Sequence, residues 1–500
     1  MAEPTAPMTA ARPTAPELEP VPWRIVGAIS AAVVLVLLLV ARRYGWHRDE
    51  LYFLEAGRHH LAWGYVDQPP FTPFIARLAN DLAPGNLVVL RTAPALTTAA
   101  TITFGTLLAR ELGAKRVGQI AATVSMAGGG FAIGVGHLLS TAAFDLTAWM
   151  ALLWLVARVL RTGDPRWWVA FGGVAGLSML NKNLLVLLVF ALLVGLVAER
   201  RWDLLLSPWL VAGGALALLI ASPNLWWQAH HGWPQLEMAR ALSRRLAGED
   251  RTQLIPLQLL FAGPTLVPVM WWGARWLGRD ALARQFRPLL WAWPAGIVAA
   301  FVTGGRPYYV LPLTTMVLLA GIVACTARGQ VRLLAWLLGI GMVTSVPLAL
   351  PLLPVSEVNL SAKVNQAVAE TVGWPQLVDQ IAGVVHQLPT AERANVVLLT
   401  LTYGEAGAID RFGPARGLPH AYSGHNSYAD FRQPTDPSAT VVAVRYSVDE
   451  LEQWFRTCTQ VAKVDNGLGV HNEVQGEPIV VCRGLRSTWP DTWARLRFES

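Results

Sequence analysis

Eleven stretches of this chain are apolar over lengths that reach or approach the ~20 residues a helix needs to cross a ~30 Å hydrocarbon core. They lie near residues 25–41, 86–108, 117–136, 143–160, 167–181, 184–198, 205–222, 256–274, 288–303, 308–326 and 332–353. The two that flank Lys182 are short, which suits tilted helices or a pair joined by a tight turn. So many long apolar runs imply a polytopic α-helical membrane protein. Composition agrees: 53% of residues are apolar and 15% charged, against about 25% charged in an ordinary soluble domain. The same balance excludes a disordered chain. Three cysteines in 500 residues exclude a disulfide scaffold. The absence of CxxC and HExxH argues against a thiolate zinc module and a zincin. Twenty-two tryptophans suit aromatic belts at two membrane interfaces. Only four of the forty basic residues are Lys. Arg is favoured where phosphate or carboxylate is gripped in a fork, and a GC-rich genome would give the same bias.

Charge sets the orientation. With the N-terminus in the cytoplasm, the inside loops and their flanks hold fourteen Lys and Arg, while the short outside loops hold only Lys182 and Arg306. The positive-inside rule supports that arrangement. Eleven crossings then put everything after residue 353 outside. The first run is followed by Ala41-Arg42-Arg43-Tyr44-Gly45-Trp46, without a small-x-small cleavage site, so it reads as a retained signal anchor. Three parts result: a disordered cytoplasmic tail over 1–24, a transmembrane domain over 25–353 with long outer loops at 42–85 and 222–255, and an extracytoplasmic domain over 354–500. In the last part charge rises and apolar runs shorten. Val396–Leu401, Val441–Tyr446 and Ile479–Cys482 read as strands, and Trp374–Leu388, Gly404–Phe412 and Val448–Phe455 as helices, which predicts a small α/β domain. Few contacts are expected across the junction near Pro354.

Both long outer loops are basic, against the orientation rule. Either long loops tolerate charge, or an anionic ligand sits at the outer leaflet. The first loop also carries Asp49, Glu50, Glu55 and Asp67 among Trp46, Tyr52, Phe53, Trp63 and Tyr65. Acids beside a bilayer are costly unless paired or working, and the aromatic mixture suggests a segment packed on the bundle. Asp145 lies at the outer start of the fourth run, in Ser140-Thr141-Ala142-Ala143-Phe144-Asp145. Asn181-Lys182-Asn183 follows Gly176-Leu177. Pro223-Asn224-Leu225-Trp226-Trp227 and His230-His231-Gly232-Trp233-Pro234 open the second long loop, and Arg306-Pro307-Tyr308-Tyr309-Val310-Leu311-Pro312 opens the tenth run.

In order and sidedness these segments resemble the GT-C glycosyltransferases, nearest in pattern to the protein O-mannosyltransferase and lipid A aminoarabinose transferase group. The likeness runs over roughly residues 25 to 330. Gln68 departs from it, standing before Pro69-Pro70 where the aminoarabinose transferases have Lys. The resemblance implies a sugar donor linked to polyprenyl phosphate and a cell-envelope acceptor, which is a glycan, lipid or protein. It implies partners that are lipids, with no nucleic acid, and a bacterial plasma membrane.

Such a transfer needs cations where the lipid phosphate leaves; Lys182 and Arg306, with Tyr309 beside the latter, are the candidates. Against them stand snorkelling of Lys182 and a headgroup contact of Arg306. The acceptor hydroxyl needs a base. Asp49 is the candidate, with Glu50 as its catalytic partner, orienting a neighbour or accepting a salt bridge. Asp67 and Asp145 are candidates for holding the sugar or a divalent cation, and His231 adds an imidazole, or is an interfacial surface residue; no metal is assigned. In the outer domain Tyr403, Glu405, His425 and Asn426 lie where a strand runs into a helix, an edge at which α/β sheets bind ligands. They are candidates for acceptor binding. Ser423, His425 and Asp410 lack the GxSxG elbow of a hydrolase. Cys458 and Cys482, separated by turn-forming Asn466-Gly467 and Gly469, are placed to form a disulfide, the alternative being two free thiols. The rival class is a transporter or flippase with an outer binding domain. That class would place ionisable groups in mid-helix and show paired inverted repeats.

Overall fold

A computed structural model describes residues 18–499. Residues 1–17, most of the tail read as disordered, lie outside the described residues. The helices used below are α1 (Trp23–Leu39), α2 (Arg48–His59), α3 (Phe71–Leu82), α4 (Leu87–Glu111), α5 (Arg116–Ala127), α6 (Gly130–His137), α7 (Thr141–Thr162), α8 (Trp167–Met179), α9 (Leu185–Ala198), α10 (Pro208–His230), α11 (Pro234–Ala262), α12 (Val267–Arg279), α13 (Arg287–Thr303), α14 (Leu311–Ala327) and α15 (Val331–Ala349).

Every apolar run falls on helix. Among the described residues six helices are long and apolar enough to cross a membrane, and two further spans are bent pairs, α5 with α6 by 50° and the second half of α11 with α12 by 83°. Three runs form the shorter apolar helices α1, α8 and α9. By length and composition the count among the described residues is therefore six, or eight if each bent pair is one span, with three shorter helices at the remaining positions, rather than eleven equal spans. The expected outer loop 222–255 is mostly helix. Pro223 sits inside α10 without ending it, and α11 begins after a tight reversal at His231–Trp233, where Trp233 takes a left-handed conformation. The bundle is held by close backbone approach. A Cβ on Gly172 of α8 would lie 2.0 Å from the carbonyl oxygen of Gly213 on α10, and one on Gly213 would lie 2.1 Å from that of Trp168. Membrane helices lack a hydrophobic drive to associate and rely on small residues for such contact.

Residues 42–86 lie over one end of this bundle. The Phe71 N–H donates to the Leu180 carbonyl at 3.0 Å, Asn224 donates to the Trp63 carbonyl at 2.8 Å, and Gln235 to that of Tyr65 at 3.0 Å. Helices α16 (Trp374–Gln387) and α17 (Tyr403–Phe412) belong to the C-terminal domain on the same end. Its five strands are β1 (Val396–Thr400), β2 (Ala421–Ser423), β3 (Thr440–Val444), β4 (Phe455–Lys463) and β5 (Pro478–Leu485), in the order β2-β1-β3-β5-β4. β1 pairs in parallel with β2 and β3, and β5 runs antiparallel to β3 and β4. Two strands were not read from the sequence. β2 has only three residues, and β4 is a largely exposed edge with little apolar signal. The helix expected over 448–455 ends at Leu451, because Phe455 already pairs with Leu485. Cys458 and Cys482 face each other across β4 and β5 and are joined by a disulfide.

The domain does not hang from a sparse junction, as expected from the sequence. Leu51, Tyr52, Phe53 and Leu54 of α2 share one core with Trp374, Ile381, Ala406 and Ile409 of the domain. α17 crosses α2 so closely that a Cβ on Gly407 would meet the Leu51 backbone at 3.0 Å. Substituting Gly407 with leucine should therefore weaken docking by roughly 1–3 kcal/mol. Limited proteolysis between α15 and the sheet should accelerate; an unchanged cleavage rate would contradict the packing. In a non-reduced digest the Cys458 and Cys482 peptides should run joined, and free alkylation of both without reductant would exclude the bridge.

Candidate functional site

The first loop turns into α2 through a side-chain cap. The Asp49 N–H donates to His47 Nδ1 at 3.2 Å, and the His47 N–H donates to Glu50 at 2.9 Å. This reciprocal arrangement satisfies N–H groups that a helix start leaves open. Glu50 points inward and is fully buried. Arg91 of α4 donates to both its oxygens, at 2.8 and 2.7 Å, and the Leu139 N–H adds a third donor at 3.0 Å. With these and the His47 N–H, four donors surround one carboxylate. Of the roles expected for it, Glu50 thus shows the salt bridge.

Asp49 points the other way, its side chain 29% exposed. Its Oδ1 accepts a hydrogen bond from the Tyr403 hydroxyl at 2.8 Å. Arg48 and His47 lie at 3.6 and 3.8 Å. Burial pushes the Asp49 carboxyl up, but His47, Arg48 and the Tyr403 bond outweigh it and hold the group below its ordinary value. Asp67 accepts from the Tyr52 hydroxyl at 2.7 Å. Here burial dominates, only partly offset by hydrogen bonds from Tyr52 and Asn426, and the carboxyl is pushed up to about 6.

The C-terminal domain closes over this pair. Tyr52, Tyr403, His425 and Phe498 form a ladder of stacked rings, with successive centroids 4.6, 4.6 and 4.7 Å apart. The Val66 N–H donates to Ser427 at 2.7 Å. Asn426 has φ +48°, and its N–H donates to the Phe498 carbonyl at 3.0 Å. Val66, Ala241, Gly424, Asn426, Arg497, Phe498 and Glu499 line a cavity of about 330 Å³ beside it. Glu405 is not in that wall. It is fully buried, accepts from the Thr402 N–H at 2.9 Å and pairs with Arg445 at 2.8 Å, so it caps α17 instead of meeting a ligand.

A second group surrounds Lys182. Its ammonium lies 3.2 Å from the Tyr308 hydroxyl and over the rings of Tyr308 and Tyr309 at 5.0 and 4.7 Å, a cation–π arrangement. The preceding Asn181 accepts from Thr72 and donates to the Thr141 carbonyl, both at 2.9 Å, which ties α3, α7 and the α8–α9 turn together. Asp145, one turn into α7, is buried and within electrostatic reach of Lys182. Asp49 and Asp145 both lie within electrostatic range of Tyr308, whose hydroxyl the Lys182 ammonium touches. Asp145 Oδ1 and the buried Gln68 Nε2 have no hydrogen-bond partner among the described residues. Arg306 contacts Asp250 only at 3.5 Å and is 42% exposed. His231 is exposed, stacked on Trp227 at 4.0 Å and bonded to that residue's carbonyl. Among the described residues no three His, Cys, Asp or Glu side chains converge as a metal-holding set. Tyr52 and Tyr308 stood in the segments singled out from the sequence but were not picked as site residues, and neither were Ser427 and Phe498. Glu370 was also missed; it binds His47 at 3.1 Å and Arg48 at 3.2 Å. Only the His47–Glu50 cap spacing could have signalled how α2 begins.

Residues 67–227 match the family model described as dolichyl-phosphate-mannose-protein mannosyltransferase. The crystal structure of ArnT from Cupriavidus metallidurans bound to undecaprenyl phosphate is similar over 92% of this chain and 97% of that one, with 17% identity and a TM-score of 0.55; its apo form gives the same values. The cryo-EM structure of the arabinofuranosyltransferase AftD from Mycobacteria is similar over 94% of this chain and 40% of that one, with 13% identity and a TM-score of 0.51. No curated protein matches by sequence. The likeness of fold thus extends past residue 330, into the C-terminal domain.

The raised Asp67 carboxyl contributes stability below the ordinary value of 3.8, and that contribution is lost as pH rises through about 6. Asp67→Asn should therefore raise the thermal midpoint at pH 8 more than at pH 4, since the amide keeps an acceptor for Tyr52 and never ionises. An equal effect at both pH values would show that burial does not control this group.

Proposed function

We propose that this chain, which has the GT-C glycosyltransferase fold, moves a sugar from polyprenyl phosphate to a hydroxyl-bearing cell-envelope acceptor on the outer side of a bacterial plasma membrane. The observation that carries this reading is that a partly exposed carboxylate, Asp49, and a Tyr-lined ammonium, Lys182, both lie within electrostatic range of Tyr308. In the first loop the buried Gln68 Nε2 has no hydrogen-bond partner among the described residues, a condition in which a buried group calls for one.

In the proposed reaction the acceptor hydroxyl gives its proton to Asp49 as its oxygen attacks the anomeric carbon. The bond from that carbon to the phosphate oxygen breaks, and polyprenyl phosphate leaves with the electron pair. Attack opposite the leaving group inverts the anomeric centre. Lys182 stabilises the charge developing on the phosphate, the kind of preorganised contact that is strongest in a site shielded from water. Arg306, held only by its long contact to Asp250, is free to join it, with Tyr309 alongside. Asp67 and Asp145 hold sugar hydroxyls, and His231 lies at the rim. A narrow apolar crevice at the α5–α6 break, lined by Gly130, Phe131, Leu146, Phe261 and Met342, suits the polyprenyl chain. Phe131 reaches it from the Lys182 side, with its ring 5.6 Å from that of Tyr308. The acceptor enters through the 330 Å³ cavity beside His425 and Asn426. The basic bias of the opposite loops and the disulfide, a feature of oxidising compartments, support the outer placement of the C-terminal domain.

Purified protein given a panel of polyprenyl-phosphate sugars with envelope acceptors should release polyprenyl phosphate; no release from any donor would reject the proposal. Asp49→Asn, nearly isosteric but unable to take a proton, should lower turnover by about 10²–10⁴ and leave donor binding intact. Activity within a few-fold of wild type would move the base elsewhere, first to Asp67.

A further inference from the structure

We propose that Tyr403 of the C-terminal domain is a positioning residue for Asp49, so that the outer domain orients the reacting carboxylate of the membrane domain. The inference rests on the assignment of Asp49 as the base and gives Tyr403 a role other than acceptor binding. Its hydroxyl already donates to Asp49 Oδ1 at 2.8 Å.

The hydroxyl is not placed by a free rotamer. The Tyr403 ring stacks against Tyr52 at 23° and His425 at 5°, and His425 in turn stacks on Phe498 at 8°. Tyr403 is the first residue of α17, whose start is fixed by the Thr402–Glu405 capping box and by Arg445 on Glu405. Two glycines on α17 let it lie against α2. A Cβ on Gly404 would stand 3.0 Å from the Arg48 Cβ, and one on Gly407 2.9 Å from that of Leu51. Asp49 lies between those two α2 residues, so the docking that brings the helices together also delivers the hydroxyl.

Arg48, at the start of α2, and His47, its N-cap, are within charge range of Asp49 but beyond hydrogen-bond length. Arg48 is shared with Glu370 and with Glu473, the latter at 2.8 Å, and His47 is bonded to Glu370. His425 on the turn after β2 lowers the Asp49 carboxyl further, and Asp67 faces it from the first loop. Tyr403 therefore supplies a hydrogen bond that both aims the carboxylate and favours its ionised form, the form that accepts a proton.

Tyr403→Phe keeps the ring stack and removes only the hydroxyl. With the full chain and a donor that turns over, the donor KM should stay unchanged and kcat should fall about 10-fold. The acid limb of the pH–rate profile should move up by roughly one pH unit, because a hydrogen bond to the charged form has been lost. A purely structural role would leave that limb in place. Unchanged kcat and an unmoved limb would overturn the inference while Asp49→Asn still tested the base. An infrared pH titration of the Asp49 carboxylate, taken as the difference from Asp49→Asn and run without sugar, reads the same shift independently of any substrate. If no donor turns over, the functional reading fails and this arm alone decides: a carboxylate that titrates identically with and without the Tyr403 hydroxyl refutes its positioning role.

Discussion

The end of the helix bundle that carries the C-terminal domain is organised around the buried pair of Glu50 and Arg91. Taking two charges out of water costs several kcal/mol per ion unless nearly every polar site on both is satisfied. Here Glu50 receives N–H groups from His47, Leu139 and Arg91, while Arg91 also donates to the carbonyls of Ala41 and Gly45. The pair therefore ties together the exit of α1, the start of α2, the start of α4 and the α6–α7 junction. Once Glu50 is locked, the next residue back along α2 has no freedom of placement, and Asp49 must face a side about 100° away.

That side is made by the C-terminal domain. A core running from Leu51 and Phe53 to Trp374 and Ile409 crosses the boundary between membrane and outer parts. Removal of apolar area from water holds the domain down, and hydrogen bonds between Asp49 and Tyr403 and between Val66 and Ser427 fix its register. Arg432 adds a charged staple, bonding Glu55 of α2 and Asp410 of α17. A chain that appears to divide cleanly near Pro354 is thus one structural unit at the place where its chemistry is proposed.

The charges then sort by environment. Asp49 stays ionised because cations and a phenol face it, whereas Asp67 is held up to about 6 because burial outweighs its hydrogen bonds. Lys182 sits over two aromatic faces beyond the first loop, where a leaving phosphate would find a cation already oriented. The proposed donor and acceptor approach from different directions, one along the apolar crevice by Phe131 and the other through the cavity by Asn426.

Apolar run length and basic bias are local properties, so the sequence by itself determined a polytopic helical membrane protein, its many helices and a small α/β domain after residue 353. The broken spans at α5–α6 and α11–α12 were not legible, because an apolar run does not record a bend made at Gly263 or between Ala127 and Gly130. Asp49 and Glu50 were legible as a pair, but not their separate fates. Adjacent positions on a helix point about 100° apart, and what each meets depends on residues far along the chain: Arg91, 41 positions away, for Glu50, and Tyr403, 354 positions away, for Asp49. Likewise Glu405 looked like a ligand at a sheet edge and became a helix cap, while Phe498 carried no signal until the end of the chain folded back onto His425. Residue type and spacing decide which groups are available. Only the packing of distant segments decides which of them is buried, paired or left facing a ligand.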